Sequence, residues 1–335
     1  MFVAHVGAGG PDFWSGTGWF QVADGRSAAT FALLAGLSAA LLSRGPGTTA
    51  AATGRDLTVA RTRILVRAAL LLPIGAALVA LGTPVAVILP AYAVMFALLT
   101  PLLRVVPRWL VAAAAAVAMV GPAVALVGRE LLRRPDGSLP VVVDLLVGEH
   151  YPVVVWFAYL LVGLAVGRLD LGSPTTARRL AVVGAAALVA GYGTAAVALR
   201  TLPADATVAR ALLTAEPHAD TLPEVVGNVG VSLLLLAALL SLGRRVPVLL
   251  TPLAATGALA LTAYVAHVAA IAVLGDEAVW GPGNGDLVAF VVVTLVLTTA
   301  WRALLGRGPL ERVLHEASTR VAALVADRTA VRPGR

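Results

Sequence analysis

The chain has 335 residues, of which 59% are hydrophobic and only 13% are charged, and its mean hydropathy is +0.91. Soluble domains carry about 25% charged residues, so this composition indicates a membrane protein. The lack of cysteine excludes disulfides, thiolate metal sites and cysteine nucleophiles. We ascribe the net charge of +7 to arginines in cytoplasmic loops and therefore expect no nucleic-acid partner.

Nine apolar stretches, each near the ~20 residues that a helix needs to cross a bilayer, predict an all-α, polytopic transmembrane bundle. They are 27–42, 64–81, 85–103, 109–127, 151–166, 180–199, 222–242, 246–274 and 287–305. The opening MFVAHVG resembles the end of a helix, so we expect a misplaced start or a tenth spanning helix upstream. We assign residues 1–306 to the bundle and 307–335 to an amphipathic cytoplasmic tail.

Arginines alternate with acids from loop to loop. With nine spans, the arginine-rich loops all fall on one side, and the loops that carry Asp205, Glu216, Asp220, Asp276, Glu277 and Asp286 fall on the other. Cytoplasmic loops are enriched in Lys and Arg. The pattern therefore predicts a multi-pass protein of the cell (inner) membrane with its C-terminus in the cytoplasm.

The unusual polar groups converge on the predicted outer side. They are His5, Asp24, Arg26, Glu149, His150, Glu216, His218, Asp220, Asn228, Tyr264 and His267. A histidine beside a carboxylate is a natural general base, since the carboxylate orients the ring and favours its charged form. Arg26 is suited to hold a carbonyl oxygen, a phosphate or Asp24 itself. The sequence contains no P-loop, no dinucleotide-binding turn and no metal-ligand spacing, so we expect no metal.

Each of these residues also has a structural interpretation. Asp24 and Arg26 are compatible with an ion pair at a helix start, and Glu149 and His150 with ordinary helix-start polarity. His267 is compatible with a hydrogen bond between helices. The convergence of the whole set, rather than any one residue, favours a site.

Several motifs, in order along the chain, resemble those of the heparan-alpha-glucosaminide N-acetyltransferase-like membrane proteins, which include the bacterial YeiB-like proteins. They are MFVAHVGAGG followed by QVADGRSAATFALLAGLS, then EPHADTLPEVVGNVG, ATGALALTAYVAHV and RGPLERVLH. The resemblance covers nearly the whole chain.

The resemblance implies acetyl transfer from cytosolic acetyl-CoA to an acceptor across the membrane, with an essential histidine on the far side. It places the acceptor near His5, Asp24 and Arg26, and we predict that these residues and His218 are catalytic. From the convergence of polar groups we predict substrate binding at Glu149, His150, Glu216, Asn228, Tyr264 and His267. The resemblance also bears on the donor. It places CoA at the arginine-rich face, with Arg61, Arg63, Arg178 and Arg179. The family's essential histidine stands shortly before its VAD element. Residues 12–21 here contain no histidine, so His5 is the first candidate and His218 the second.

We therefore expect a membrane acyltransferase that moves an acyl group, most simply acetyl, to a hydroxyl or amine. The expected partners are membrane lipid and a glycan or lipid-linked acceptor, and a homodimer is left open. Two alternatives remain at this point. One is a transporter of a small polar or lipid-linked solute, which would explain the prolines within the spans. The other is a non-catalytic membrane protein.

Overall fold

The computed structural model describes residues 2–6, 22–281 and 284–330. Within these ranges the chain is helical, and its one extended pairing is an isolated bridge between Arg44 and Ala51. The all-α prediction is confirmed. The helices are α1 (Phe2–Val6), α2 (Arg26–Leu42), α3 (Gly54–Val79), α4 (Leu89–Leu99), α5 (Pro107–Leu132), α6 (Val141–Val147), α7 (Val153–Val166), α8 (Pro174–Thr201), α9 (Thr207–Leu213), α10 (Leu222–Arg245), α11 (Thr251–Ala258), α12 (Ala260–Leu274), α13 (Glu277–Trp280), α14 (Asn284–Leu305) and α15 (Pro309–Ala330).

Five of these helices, α3, α5, α8, α10 and α14, are long and apolar enough to cross a membrane. A sixth span is obtained if α11 and α12 are taken together. Three shorter apolar helices coincide with the other predicted spans: α2, α4 with the 3-10 turn that follows it, and α7. The chain is thus a multi-pass membrane protein, but the predicted count of nine spans is not confirmed.

The predicted span 246–274 is wrong as a single helix, because α11 and α12 meet at an angle of 80°. Leu259 has non-helical backbone angles at the break. The new N-terminus of α12 is satisfied from α15, where Glu311 accepts from the backbone N–H of Thr262 at 3.0 Å and from its hydroxyl. A carboxylate is well placed there, since the first N–H groups of a helix lack intrahelical partners.

Helix α7 lies at the centre of the bundle, packed between α2 and α5. Almost every residue of α7 is buried, including Trp156 and Tyr159 at 2% exposure each. The crossing with α2 requires glycine, because a Cβ at Gly163 would overlap the carbonyl of Leu33. Small residues allow membrane helices to approach closely in this way. Helix α2 also contacts α10, which packs along α8.

The segment predicted to be a separate tail forms α15, which lies along α3. Besides Glu311, α15 supplies Asp327, whose carboxylate is 3.2 Å from the guanidinium of Arg55 at the start of α3. Both side chains of this ion pair are exposed, so it contributes little to stability. The division at residue 306 remains a prediction.

Candidate functional site

A cavity of about 230 Å³, here called the polar pocket, brings together residues that are far apart in sequence. It is lined by Ala4, His5, Asp24, Gly25, Ser27, Ala28, Tyr151, Pro217 and His218. These residues come from α1, the approach to α2, the turn before α7 and the loop before α10. Three of the four predicted catalytic side chains therefore share one pocket. The fourth, Arg26, is not among the lining residues.

The loop that carries His218 has an unusual backbone. Tyr151, His218 and Asp220 have φ values of 57°, 63° and 55°, a region that non-glycine residues seldom occupy and that persists only where surrounding contacts hold it. Here Glu224 supplies those contacts, because its carboxylate accepts from the backbone N–H of His218 at 2.9 Å and of Asp220 at 2.7 Å. The first turn of α10 thus fixes the histidine loop.

Aromatic rings support the His218 side chain. Its ring stacks on that of Trp156, with centroids 6.5 Å apart, and meets Tyr151 edge-on at 5.9 Å. The indole N–H of Trp156 also donates to Asp220 at 2.7 Å. This packing lowers the pKa of His218, and the charge of His150 lowers it further. A lowered pKa favours the neutral form of His218, which is the form that accepts a proton.

Two carboxyl groups beside the pocket hold their protons more tightly than usual. Burial raises the pKa of Asp220 to about 7, although the hydrogen bond from Trp156 lowers it. Burial also raises the pKa of Asp24, against the lowering effect of the Arg26 charge. The approach to the pocket is therefore partly screened from water, as a site that handles protons requires.

Arg26 and Asn228 belong to a hydrogen-bond network beside the pocket. Arg26 donates to the hydroxyl of Tyr192 at 2.9 Å, and its guanidinium lies 4.9 Å from the centre of that ring. Tyr192 donates to Asn228 at 2.6 Å, and Asn228 donates to Glu224 at 3.3 Å. The network joins the start of α2 to the His218 loop. Direct contact of Arg26 or Asn228 with a substrate remains a prediction.

His5 is hydrogen-bonded to His267 of α12, Nδ1 to Nε2, at 2.8 Å. The two rings are nearly parallel, with centroids 5.1 Å apart, and Phe2 and Tyr264 pack edge-on against His267. His267 is only 3% exposed. The predicted residue His267 is thus brought next to His5, and the predicted residue Tyr264 packs against His267.

His267 also lines a second cavity of about 360 Å³, here called the α12–α14 groove. The groove is lined by Leu259, Thr262, Ala263, Ala266, His267, Ala270, Phe290, Val293, Thr294, Leu297, Thr298, Trp301 and Pro309. Its walls are mainly apolar, with a few threonine hydroxyls and the indole of Trp301. The His5–His267 pair therefore stands where the polar pocket and the groove adjoin.

Arg307 stands two residues before Pro309, which lines the groove, and its charge acts on two arginines of α3. The charges of Arg63, Arg67 and Arg307 act on one another, and together they lower the pKa of His315 after the effect of burial. The Nε atoms of Arg63 and Arg67 are buried and have no hydrogen-bond partner in the part of the chain that the structure describes. We call Arg63, Arg67 and Arg307 the basic cluster.

The predicted CoA-binding arginines are not all in this cluster. Arg61 lies two residues before Arg63 on α3. Arg178 and Arg179 are exposed at the start of α8, which packs on α10, whereas α3 packs on α15 and α4. The sequence interpretation missed Arg67 and Arg307.

None of the six predicted substrate-binding residues lines the polar pocket, and three of them are exposed at the surface. Glu149 approaches Arg133 at 3.8 Å, with both side chains exposed. His150 and Glu216 are also exposed. Among the residues that the structure describes, no group of three or more His, Asp or Glu side chains is arranged to hold a metal ion.

Three residues that matter at the site were not predicted: Tyr151, Tyr192 and Glu224. Asp220 was predicted to lie on the outer side but was given no role. Only Glu224 had a readable signal. It stands three residues after Thr221, which is the spacing of a helix-capping box, and Thr221 does accept from the N–H of Glu224 at 3.2 Å. The others are brought to the site by tertiary packing.

The model of the family described as heparan-alpha-glucosaminide N-acetyltransferase, catalytic, matches residues 3–203, which is more than half of the chain. The chain belongs to this family. The resemblance inferred from the motifs is confirmed, and the family suggests a membrane acetyltransferase activity. A second model, described as a protein of unknown function (DUF418), matches residues 166–320. No curated protein and no solved structure matches the chain. His5 and Asp24 fall within the first match, and His218 and His267 within the second.

Proposed function

We propose that the protein moves an acyl group, most simply acetyl, from cytosolic acyl-CoA to a hydroxyl or amine of a glycan or lipid-linked acceptor across the membrane. The observation that carries the proposal is the hydrogen-bonded pair of His5 and His267, because one ring lines the polar pocket and the other lines the α12–α14 groove. The acceptor would occupy the pocket and the donor the groove.

The donor side has suitable dimensions and charge. The groove extends from Phe290 to Trp301 along α14, about 16 Å at 1.5 Å per residue, a length suited to the extended thiol arm of CoA. Pro309, at the Trp301 end, lies two residues after Arg307 of the basic cluster. Arg63 and Arg67 have Nε atoms without a hydrogen-bond partner among the described residues, and guanidinium groups are suited to bind the phosphates of CoA. By the positive-inside rule, this end faces the cytoplasm of the cell.

The acceptor side supplies a base and a carboxylate. His5 is placed to take the proton that the acceptor loses when its oxygen or nitrogen attacks the thioester carbon. Asp24 lines the same pocket. His218 is the second candidate for the base. The C–S bond then breaks and CoA leaves as a thiolate, which takes up a proton.

The test uses purified protein in proteoliposomes with radiolabelled acetyl-CoA and a panel of amine and hydroxyl acceptors. We expect acceptor-dependent release of CoA. Arg67→Gln and Arg307→Gln should raise the Kd for acetyl-CoA about tenfold, whereas Arg244→Gln, at the exposed end of α10, should not. Absence of both acetyl-CoA binding and acyl release would overturn the proposal.

A second candidate function is transport, which the break between α11 and α12 favours, since broken helices line the substrate sites of many transporters. It predicts flux of a polar or lipid-linked solute into the same vesicles without acyl-CoA. Flux that needs no donor, together with unchanged acceptors, would favour this candidate over acyl transfer.

A further inference from the structure

Two hydrogen-bonded histidines line two different cavities. His5 lines the polar pocket and His267 lines the α12–α14 groove. Their hydrogen bond joins one nitrogen of each ring at 2.8 Å. A neutral imidazole has one donor and one acceptor nitrogen. The bond therefore requires that one ring donates and the other accepts, which couples the tautomer of each histidine to that of the other.

The two sides of the pair differ in polarity. On the pocket side stand the carboxyl group of Asp24 and the ring of His218. On the groove side, His267 is surrounded by Phe290 and by alanines of its own helix, and Phe2 packs against its ring. The groove side is thus mainly apolar, and the pocket side carries ionisable groups. A proton that crosses between the cavities has the imidazole pair as its hydrogen-bonded route.

We propose that His5 and His267 form a proton relay in which His5 is the base toward the acceptor and His267 is the acid toward the departing thiolate. The inference rests on the proposed acyl transfer. The acyl group and the proton then move in opposite directions. The acyl group passes from the donor in the groove to the acceptor, which it meets where the two cavities adjoin. The proton passes from the acceptor through the two rings toward the groove.

The relay conserves protons and bonds. As the acceptor's oxygen or nitrogen bonds to the acyl carbon, its proton passes to Nε2 of His5. The proton on Nδ1 of His5 moves to Nε2 of His267. His267 gives the proton on its Nδ1, a buried atom with no hydrogen-bond partner within the described residues, to the thiolate sulfur that is released when the C–S bond breaks. One X–H and one C–S bond are replaced by one X–C and one S–H bond, and both rings end neutral.

The activity test separates proton transfer from binding. His267→Gln retains an amide that can hydrogen-bond to His5 but cannot shuttle a proton. We expect kcat to fall about 10² to 10⁴-fold, the usual contribution of a positioned acid or base, with the KM for acyl-CoA within about twofold. Val273→Ala, on the same helix and 87% exposed, should leave both unchanged. A kcat for His267→Gln within about threefold of the wild type would overturn the relay.

Chemical rescue tests the same step. His267→Ala leaves a ring-sized space beside the groove, and added imidazole should restore activity at least about tenfold in this variant but not in His5→Gln. A merely structural role for His267 predicts no such rescue, so an unchanged rate with imidazole would also overturn the relay.

A spectroscopic test does not depend on turnover. The chain has five histidines, so ¹⁵N-histidine spectra in nanodiscs can be assigned by single substitutions. We expect scalar coupling between Nδ1 of His5 and Nε2 of His267, and a changed His5 tautomer ratio in His267→Gln. Uncoupled rings in an enzyme that transfers acyl groups would overturn the relay alone. Coupled rings with no transfer in the wild type would overturn the acyl-transfer proposal and the relay's role with it.

Discussion

At the residue scale, Glu224 decides the position of His218. Its carboxylate accepts two backbone N–H groups of a loop in which His218 and Asp220 have left-handed backbone angles. It also accepts from Asn228, which ties the loop to Tyr192 and Arg26. The polar pocket therefore depends on a side chain that does not line it.

Replacing Glu224 by Gln should loosen this loop. Gln keeps one carbonyl oxygen but puts an NH₂ group opposite a backbone N–H, and a buried unsatisfied donor costs about 1 to 3 kcal/mol. We expect faster amide hydrogen exchange in residues 214–221 and a lower transfer rate, with little change elsewhere. Glu216→Gln, exposed in the same loop, is the matched control. Unchanged exchange at His218 and Asp220 would contradict the assignment.

Asp220 should make stability depend on pH. Its folded-state pKa is raised to about 7 by burial, whereas an exposed Asp titrates near 3.9. The folded state therefore binds the proton more tightly, and its contribution is full below pH ~4 and is lost as the pH rises toward 7.

Asp220→Asn keeps an oxygen for the indole N–H of Trp156 but does not ionise. The stability of the variant relative to the wild type should rise by about 1 to 3 kcal/mol between pH 4 and pH 7. Thermal unfolding of both proteins in the same detergent at each pH measures the difference in their stability. Titrating groups that the two proteins share contribute equally to both and do not affect this difference. A difference that is constant across this range would refute the raised pKa.

At the element scale, the break between α11 and α12 is a feature that a hydropathy pattern does not predict. The stretch from Val246 to Leu274 is mainly apolar and predicts one helix. The bend is stabilised by Glu311, which lies 49 residues beyond its partner Thr262 and satisfies the start of α12. Local sequence specifies an apolar helix, and a distant carboxylate sets where it breaks.

Removing this carboxylate should destabilise α12. Glu311→Ala leaves the N–H and hydroxyl of Thr262 without their acceptor, and loss of a helix cap costs about 0.5 to 2 kcal/mol. We expect a lower Tm and weaker acetyl-CoA binding, since Thr262 and Leu259 line the groove. Glu316→Ala, one turn further on α15 and paired with the exposed Arg320, should change neither.

The α2–α7 crossing gives a second prediction at this scale. A Cβ at Gly163 would overlap the backbone carbonyl of Leu33, whereas a Cβ at Gly193 of α8 meets nothing within 4 Å. Gly163→Ala should force the two helices apart and lower the heat resistance of the detergent-solubilised protein, as overpacking costs about 1 to 3 kcal/mol. Gly193→Ala should be neutral or slightly stabilising. Equal effects of the two variants in size-exclusion recovery after heating would contradict the close crossing.

At the scale of the whole molecule, the sequence predicts the class and part of the site. The membrane class follows from composition, because the total hydropathy of the chain does not depend on where single helices bend. Counting the predicted spans from loop to loop predicts that His5, Asp24 and His218 lie on the same side of the membrane. In the structure these three residues line one pocket. The basic cluster was not predicted, because Arg67 lies within an apolar stretch and Arg307 lies in a short connection between α14 and α15.

The same sidedness argument predicts that the polar pocket and the basic cluster open on opposite faces of the membrane. Arginine-rich segments stay in the cytoplasm, which places α15 inside and the loop before α10 outside. Because the chain has no cysteine, single cysteines can be introduced without background. Glu216→Cys and Arg320→Cys are at exposed positions on the two sides. A membrane-impermeant maleimide should label the first in intact cells and the second only after permeabilisation. Labelling of both from the same side would leave donor and acceptor on one face, and transfer across the bilayer would then have no structural basis.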